Sequence, residues 1–255
     1  MRIFTFGKRE FLLMLLCILL FGIFAGLGFK GIRDIPISAE IKKLPIYCVE
    51  TDKKQVALTF DAAWGNSNTD LLLSILEKNG AKATFFFTGQ WVSKYPEDVL
   101  KIYAAGHEAA NHSDSHSHIK NMSGEALFND IAAANKKLKA LTGVSPTLYR
   151  GPYGEYNNTL LSEVEKHKMF AVQWNLDSRD WQKKTPEEIS GSILKNIKNG
   201  SIILFHNDLE NTALALETLL PQLKREGYEF VTVSKLIYKE NFRIKADGTQ
   251  VKKVG

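Results

Sequence analysis

The pattern of apolar and polar positions changes period several times along the chain. Phe11 to Phe29 is a run of nineteen residues without a charge, preceded by Lys8-Arg9. At helical rise this run covers about 28 Å, enough for the hydrocarbon core of a bilayer. It predicts a transmembrane helix over 11–29, its basic flank in the cytoplasm and everything after it outside. The competing reading is a cleaved signal peptide: no good small-x-small site precedes Lys30, while Gly26 and Gly28 keep that reading open. Residues 1–29 thus read as an anchor and 30–45 as a linker, with Pro36 and Pro45 interrupting regular structure.

From Ile46 the periods alternate. Ile46 to Val49, Gln55 to Phe60, Ala83 to Thr88, Leu148-Tyr149, Phe170 to Trp174, Ser201 to Phe205 and Phe230 to Val233 read as strands. Thr69 to Asn79, Pro96 to Ala105, Gly124 to Leu141, Asn158 to Lys168, Pro186 to Ile197 and Thr212 to Glu226 carry the helical spacing, for example Leu127, Ile131, Ala134 and Leu138 on one face. Strands separated by helices of this length imply parallel pairing through helical crossovers. The expectation is an α/β fold, a distorted barrel of seven or eight β/α units over residues 46–237. Residues 238–255 are polar and basic and read as a poorly ordered tail. No internal repeat is visible.

Composition narrows this picture. The hydrophobic fraction of 44% and charged fraction of 24% are those of a folded globular chain. The net charge is +5, of which residues 30–255 carry 30 minus 27, or +3. Such an excess suits a cell-wall polymer, although an ordinary solvated surface explains it as well. No basic patch with interleaved aromatics occurs, so nucleic acid is not an expected partner. Cys17 lies inside the apolar run and Cys48 outside it, with no CxxC, so no disulfide is expected.

The candidate chemistry sits just after strand ends, where barrels of this kind build their sites. Asp61 ends the strand Gln55 to Phe60; it reads either as a reacting carboxylate or as a helix cap. His112 and His116 are four apart, which on a helical turn points both imidazoles at one metal ion; the same spacing is also common among surface histidines. Arg150 precedes the turn Gly151-Pro-Tyr-Gly154 and is able to pair with a carboxylate such as Asp61. Asp177 and Asp180 precede Trp181, and His206 closes the strand Ser201 to Phe205; a carboxylate beside that histidine favours imidazolium and general-acid duty. His107 and His118 read as structural or exposed.

Taken in order, these segments resemble the polysaccharide deacetylases of the NodB-homology type, carbohydrate esterase family 4. The matching segments are Thr59-Phe-Asp61, His112-Ser-Asp-Ser-His116, Arg150-Gly-Pro-Tyr153, Asp177-Ser-Arg-Asp-Trp181 and Leu204-Phe-His206. The resemblance covers about residues 46 to 237. The lead-in Leu44-Pro-Ile-Tyr47, the segment Val49 to Lys54 and the single anchor look most like the sporulation-associated PdaB-type branch.

The resemblance implies a membrane-anchored bacterial hydrolase, a monomer facing outward, that removes N-acetyl groups from peptidoglycan amino sugars. It implies Asp61 as general base, Arg150 as its orienting partner, and His112 and His116 as ligands of zinc or cobalt. The backbone N–H of Tyr153 then meets the oxyanion. His206, tuned by Asp180, protonates the leaving amine, and Trp181 and Leu204 line the acetyl pocket. Chitooligosaccharide or acetylated xylan are the alternative substrates. One position departs: where the family has a second aspartate as third metal ligand, this chain has Ala62. That implies a weakly held metal, replacement by Asp114 or Asp61 as ligand, or a degenerate module that grips glycan without turnover.

Overall fold

The computed structural model describes residues 7–28 and 43–253. They form two compact units, divided between Ile41 and Lys42. The first contains helix α1, Lys8–Gly28, whose described apolar side chains from Phe11 to Phe21 are largely exposed. Among the described residues no helix is long and apolar enough to cross a membrane. Phe29, the end of the expected span, and residues 30–42 of the expected linker lie outside the described residues.

The second unit keeps the alternation read from the sequence and adds α3 and β4, which that reading lacked: β1 Cys48–Val49, β2 Gln55–Ala62, α2 Thr69–Lys78, β3 Ala83–Phe87, α3 Gly89–Lys94, α4 Pro96–Ala104, β4 Glu108–Asn111, α5 Gly124–Thr142, β5 Leu148–Tyr149 and α6 Asn158–Lys166. It continues with β6 Phe170–Ala171, β7 Leu176–Asp177, α7 Pro186–Asn196, β8 Ile202–His206, α8 Glu210–Arg225, β9 Glu229–Phe230, α9 Val233–Leu236, β10 Phe242–Ile244 and β11 Thr249–Lys252. The main sheet has eight parallel strands in the order β6-β5-β4-β3-β2-β8-β7, with β9 joining β2.

The expected barrel is therefore present as a half-barrel rather than a closed ring. The predicted strand Phe170 to Trp174 is shortened to β6, paired with β5, and the next strand, β7, begins beyond its predicted end and pairs with β8. One stretch of chain has to leave the first neighbour before it reaches the second, so no continuous ladder closes the ring there. The predicted strand over 230–233 is similarly short, because Val233 N–H donates to Thr84 Oγ1 (2.9 Å) and opens α9 instead.

Alternation along β2 decides which side carries the site. Val56, Leu58, Phe60 and Ala62 face an apolar layer shared with α2, α7 and α8, through residues such as Leu72, Ile189 and Leu216. Ala57 faces the other layer, with Phe86, Ala110 and Ile202. Asp61 shares the parity of Ala57 and Thr59, so the inward face turns from apolar to polar toward the C-terminal end of the strand. Helices are closed by side-chain caps, the fullest at α7, where Thr185 Oγ1 accepts from Glu188 N–H (3.3 Å) and Glu188 Oε2 from Thr185 N–H (2.8 Å). Thr185→Ala is expected to lower stability by about 1 kcal/mol. Urea denaturation at unchanged m-value would show it; an unmoved midpoint would mean that the cap contributes nothing.

The polar tail is ordered through Lys253, contrary to the expectation for 238–255. β10 and β11 pair antiparallel, and β11 takes β1 as a parallel neighbour. Thr249, Gln250 and Val251 are buried. The turn between the strands needs Gly248, which sits at φ +81° with Tyr47 where a Cβ would be.

Candidate active site

The register of the sheet brings the reacting groups together. Asp61 on β2 is the register partner of His206 on β8. In a parallel pair such residues point to the same face, with backbones about 4.8 Å apart. His112 follows β4 directly and Arg150 follows β5 directly, and Asn111 pairs with Tyr149. Asp180 lies three residues beyond β7. All of these positions are at the C-terminal edge of the sheet, where the sequence reading put Asp61, Arg150 and His206.

Arg150 is fully buried and Asp61 is 6% exposed, and Arg150 Nη1 donates to Asp61 Oδ1 at 2.7 Å. The guanidinium also donates to the carbonyls of Val172 (3.4 Å) and Gln173 (3.1 Å), and lies over the Phe86 ring at 4.0 Å. Burial alone would raise the Asp61 carboxyl; the charges of Arg150, His112 and His206 outweigh it and hold the carboxyl below its ordinary value. Burial pulls the guanidinium down against the pull of Asp61, yet an arginine stays charged throughout. Asp61 is thus a fixed anion, and the helix-cap reading of it falls away.

His206 is set the opposite way. Its Nδ1–H donates to Asp180 Oδ1 at 2.7 Å, and its backbone N–H to Asp180 Oδ2 at 2.8 Å. Thr212 Oγ1 and the Trp181 N–H also donate to Asp180, at 2.6 and 2.9 Å. Burial disfavours a charged imidazole, but Asp180 prevails and raises the His206 pKa above that of a free histidine. With Nδ1 committed, Nε2 is the atom left to meet a ligand.

The two metal candidates face the same cavity, but not on a helix. Ser113 and His116 both have positive φ (71° and 54°), so the expected helical turn is a tight loop. The loop is shaped by Asn111 Oδ1, which accepts from Ser113 N–H, and by Asp130 of α5, whose carboxylate accepts from the N–H groups of Asp114 and Ser115. The imidazoles nevertheless converge, with ring centres 5.1 Å apart. His112 Nδ1–H donates to the Arg150 carbonyl (2.8 Å), which aims Nε2 at Asp61 Oδ2, 3.5 Å away. Burial lowers both histidines, His116 to about 4, so both are neutral at pH 7.

These donors fit a divalent ion at two points. Neutral His112 Nε2 and Asp61 Oδ2 are two acceptors facing each other, and His116 Nδ1 is buried without a partner. Among the described residues a third dedicated ligand is missing. Ala62 is buried in the apolar layer on the other side of β2, and Asp114 turns to Lys137 at 2.6 Å. Among the described residues no group of three or more His, Cys, Asp or Glu is placed to hold a metal.

The cavity between these groups measures about 660 Å³. Tyr153, Trp181 and Leu204 line it. Tyr153 has φ 58°, a strained conformation for a tyrosine, and its ring stacks on His118 at 4.0 Å, so His118 is a structural partner of the site. The sequence reading missed Trp64, Trp174, Asn207 and Asp208 in the lining. An exposed indole in an otherwise polar loop was the one available signal, and it belongs to Trp64.

Residues 49–172 match the family model described as polysaccharide deacetylase. The chain is 36% identical over 194 residues to a peptidoglycan-N-acetylglucosamine deacetylase of Bacillus cereus, covering 74% of this chain and 91% of that protein. It is 32% identical over 212 residues to the peptidoglycan-N-acetylglucosamine deacetylase PgdA of Listeria monocytogenes, covering 83% of this chain and 44% of that one. It spans 60% of an uncharacterized Bacillus subtilis relative, YlxY. Among solved structures it is similar to a CE4 family pseudoenzyme from Bacillus anthracis, with TM-score 0.73 and 30% identity over 75% of this chain and 68% of that chain. A mutant of that pseudoenzyme with restored enzymatic activity is similar to the same degree, with TM-score 0.73 and 31% identity over 75% of this chain and 70% of that one.

Proposed function

This chain belongs to the polysaccharide deacetylase family, and from that we propose that it removes N-acetyl groups from amino sugars of a cell-wall polysaccharide, peptidoglycan. The observation that carries the reading is the adjacent pair Asp61 and His206, one held anionic by Arg150 and the other biased to cation by Asp180, in one cavity. Titratable groups pushed apart in this way divide acid and base work.

In this mechanism Asp61 takes a proton from the attacking water, and the acetyl carbonyl becomes tetrahedral in front of the Tyr153 N–H. His206 then gives the proton at Nε2 to the leaving amine, without which amide cleavage stalls. Hydrogen-bond donation to the oxyanion is worth on the order of 3 kcal/mol. A divalent ion, held by His112 and His116, would polarise the acetyl carbonyl and make the attacking water more acidic. Trp181 and Leu204 receive the acetyl methyl. The apolar run 11–29 supports attachment to the bacterial membrane with the enzyme unit outside. The lead-in Leu44 to Tyr47 supports a spore-cortex substrate.

A second reading, a glycan-binding protein without turnover, draws on Ala62 and on the likeness to a pseudoenzyme. Acetate release from N-acetylated peptidoglycan strands by the full chain separates the two, measured with zinc, with cobalt and with chelator. Turnover under at least one metal condition is expected. No acetate under any condition, with strand binding intact in His206→Ala, establishes the second reading. Elemental analysis after zinc incubation and gel filtration is expected to find well below one equivalent, as suits a site short of the usual three protein ligands; a full equivalent would overturn the two-histidine site.

A further inference from the structure

Three aromatic side chains in the folded unit are more than half exposed: Trp64 (67%), Trp181 (59%) and Tyr153 (55%). All three line the cavity that holds Asp61, His112, His116 and His206. Nothing in the reaction chemistry uses Trp64. It stands in the loop between β2 and α2, with its ring edge-on to His116 at 5.5 Å.

The loop that carries Trp64 is tied down. The next residue, Gly65, accepts at its carbonyl from the buried Trp91 Nε1–H (2.9 Å) and from Asn207 Nδ2 (3.0 Å). Ser67 N–H donates to Asp208 Oδ1 at 2.7 Å. A Cβ at Gly65 would lie 1.8 Å from Asp208 Oδ2, so the loop meets the segment after β8 without space for a side chain. The backbone beside the indole is thus held in place while the ring itself stands in water, edge-on to His116. In the sheet β8 lies between β2 and β7, so the loops bearing Trp64 and Trp181 leave the strands on either side of the one that carries His206.

We propose that Trp64 is the stacking platform of a sugar subsite next to the reacting residue, and thereby sets how tightly the neighbouring pyranose unit of the glycan is held. The C–H face of a pyranose is apolar and matches an indole face, and the covered ring area leaves water on binding. A platform on a backbone already held in place loses less entropy when the sugar arrives. The proposal rests on the glycan reading above and adds a subsite that the chemistry alone does not require.

The test uses the full chain and two probes, the di- and tetrasaccharide of β-1,4-linked N-acetylglucosamine, with Kd from calorimetry. The native chain is expected to bind the tetrasaccharide about tenfold more tightly than the disaccharide, the ratio that 1.4 kcal/mol gives. Trp64→Ala is expected to bring that ratio close to one, and Trp64→Phe to keep most of it. The ratio within each variant is insensitive to a partly misfolded fraction. An unchanged ratio in Trp64→Ala overturns the subsite and leaves the glycan reading standing. No binding of either probe by the native chain overturns both.

Discussion

Replacing Asp61 with Ala is expected to lower stability by about 3–5 kcal/mol and to abolish acetate release. The larger part of that cost comes from what stays behind. Arg150 has no solvent exposure, and without Asp61 Oδ1 its charge is left with two carbonyl acceptors and two aromatic faces. A buried charge without a counterion is far costlier than a missing pair. Adding Arg150→Met to Asp61→Ala should therefore recover much of the loss, and a double-mutant cycle by urea denaturation at pH 7 measures it. The sign with pH follows from the lowered Asp61 pKa. The stabilisation is present above the unfolded value of about 3.9 and is lost as pH falls through the folded value. The deficit of the single variant should thus be largest near neutrality and shrink in acid. A deficit below about 1 kcal/mol, or a double variant no better than the single, would contradict this account.

Much of this arrangement could be read before the structure. The apolar run that ends on Asp61 is a buried strand, and a strand buried on both faces announces itself by composition. Pairing of Asp61 with Arg150, 89 residues away, had no local signal and followed from the order of the family segments. What failed locally failed for tertiary reasons. His112 and His116 converge as expected, but through a loop held by Asp130 from α5, and a spacing rule cannot see that contact. The tail reads as polar because its seven charged residues outnumber its six apolar ones. Its Val251 and Gln250 are buried only because β1 offers an edge. The strand over 170–174 stops at Ala171 because the chain then moves to a new neighbour, which β7 meets at Leu176, a constraint of topology and not of propensity.

His206→Gln is the other large effect, an expected fall in kcat of about 10²–10⁴-fold with KM changed little. Glutamine roughly fills the space but cannot deliver a proton, and KM should hold because the cavity walls, Trp181 and Leu204 among them, remain. Asp180→Asn tests the same device from behind. Asp180 holds the Nδ1–H and with it the bias toward imidazolium. The folded His206 pKa lies above the free value, so kcat should persist on the alkaline side of about 6.5 and fall as pH rises through the raised value. Asparagine removes that pull, so the alkaline limb of the kcat profile should move to lower pH. The same linkage makes the native pair stabilising below the unfolded histidine pKa, with the contribution lost as pH rises through the folded one. Thr212 and the Trp181 N–H also bond Asp180, so the variant disturbs packing as well, and the direction in which the limb moves is the discriminating observation. A uniform loss of rate at every pH, with the limb in place, would make Asp180 a scaffold residue and leave the proton delivery by His206 without its proposed tuning.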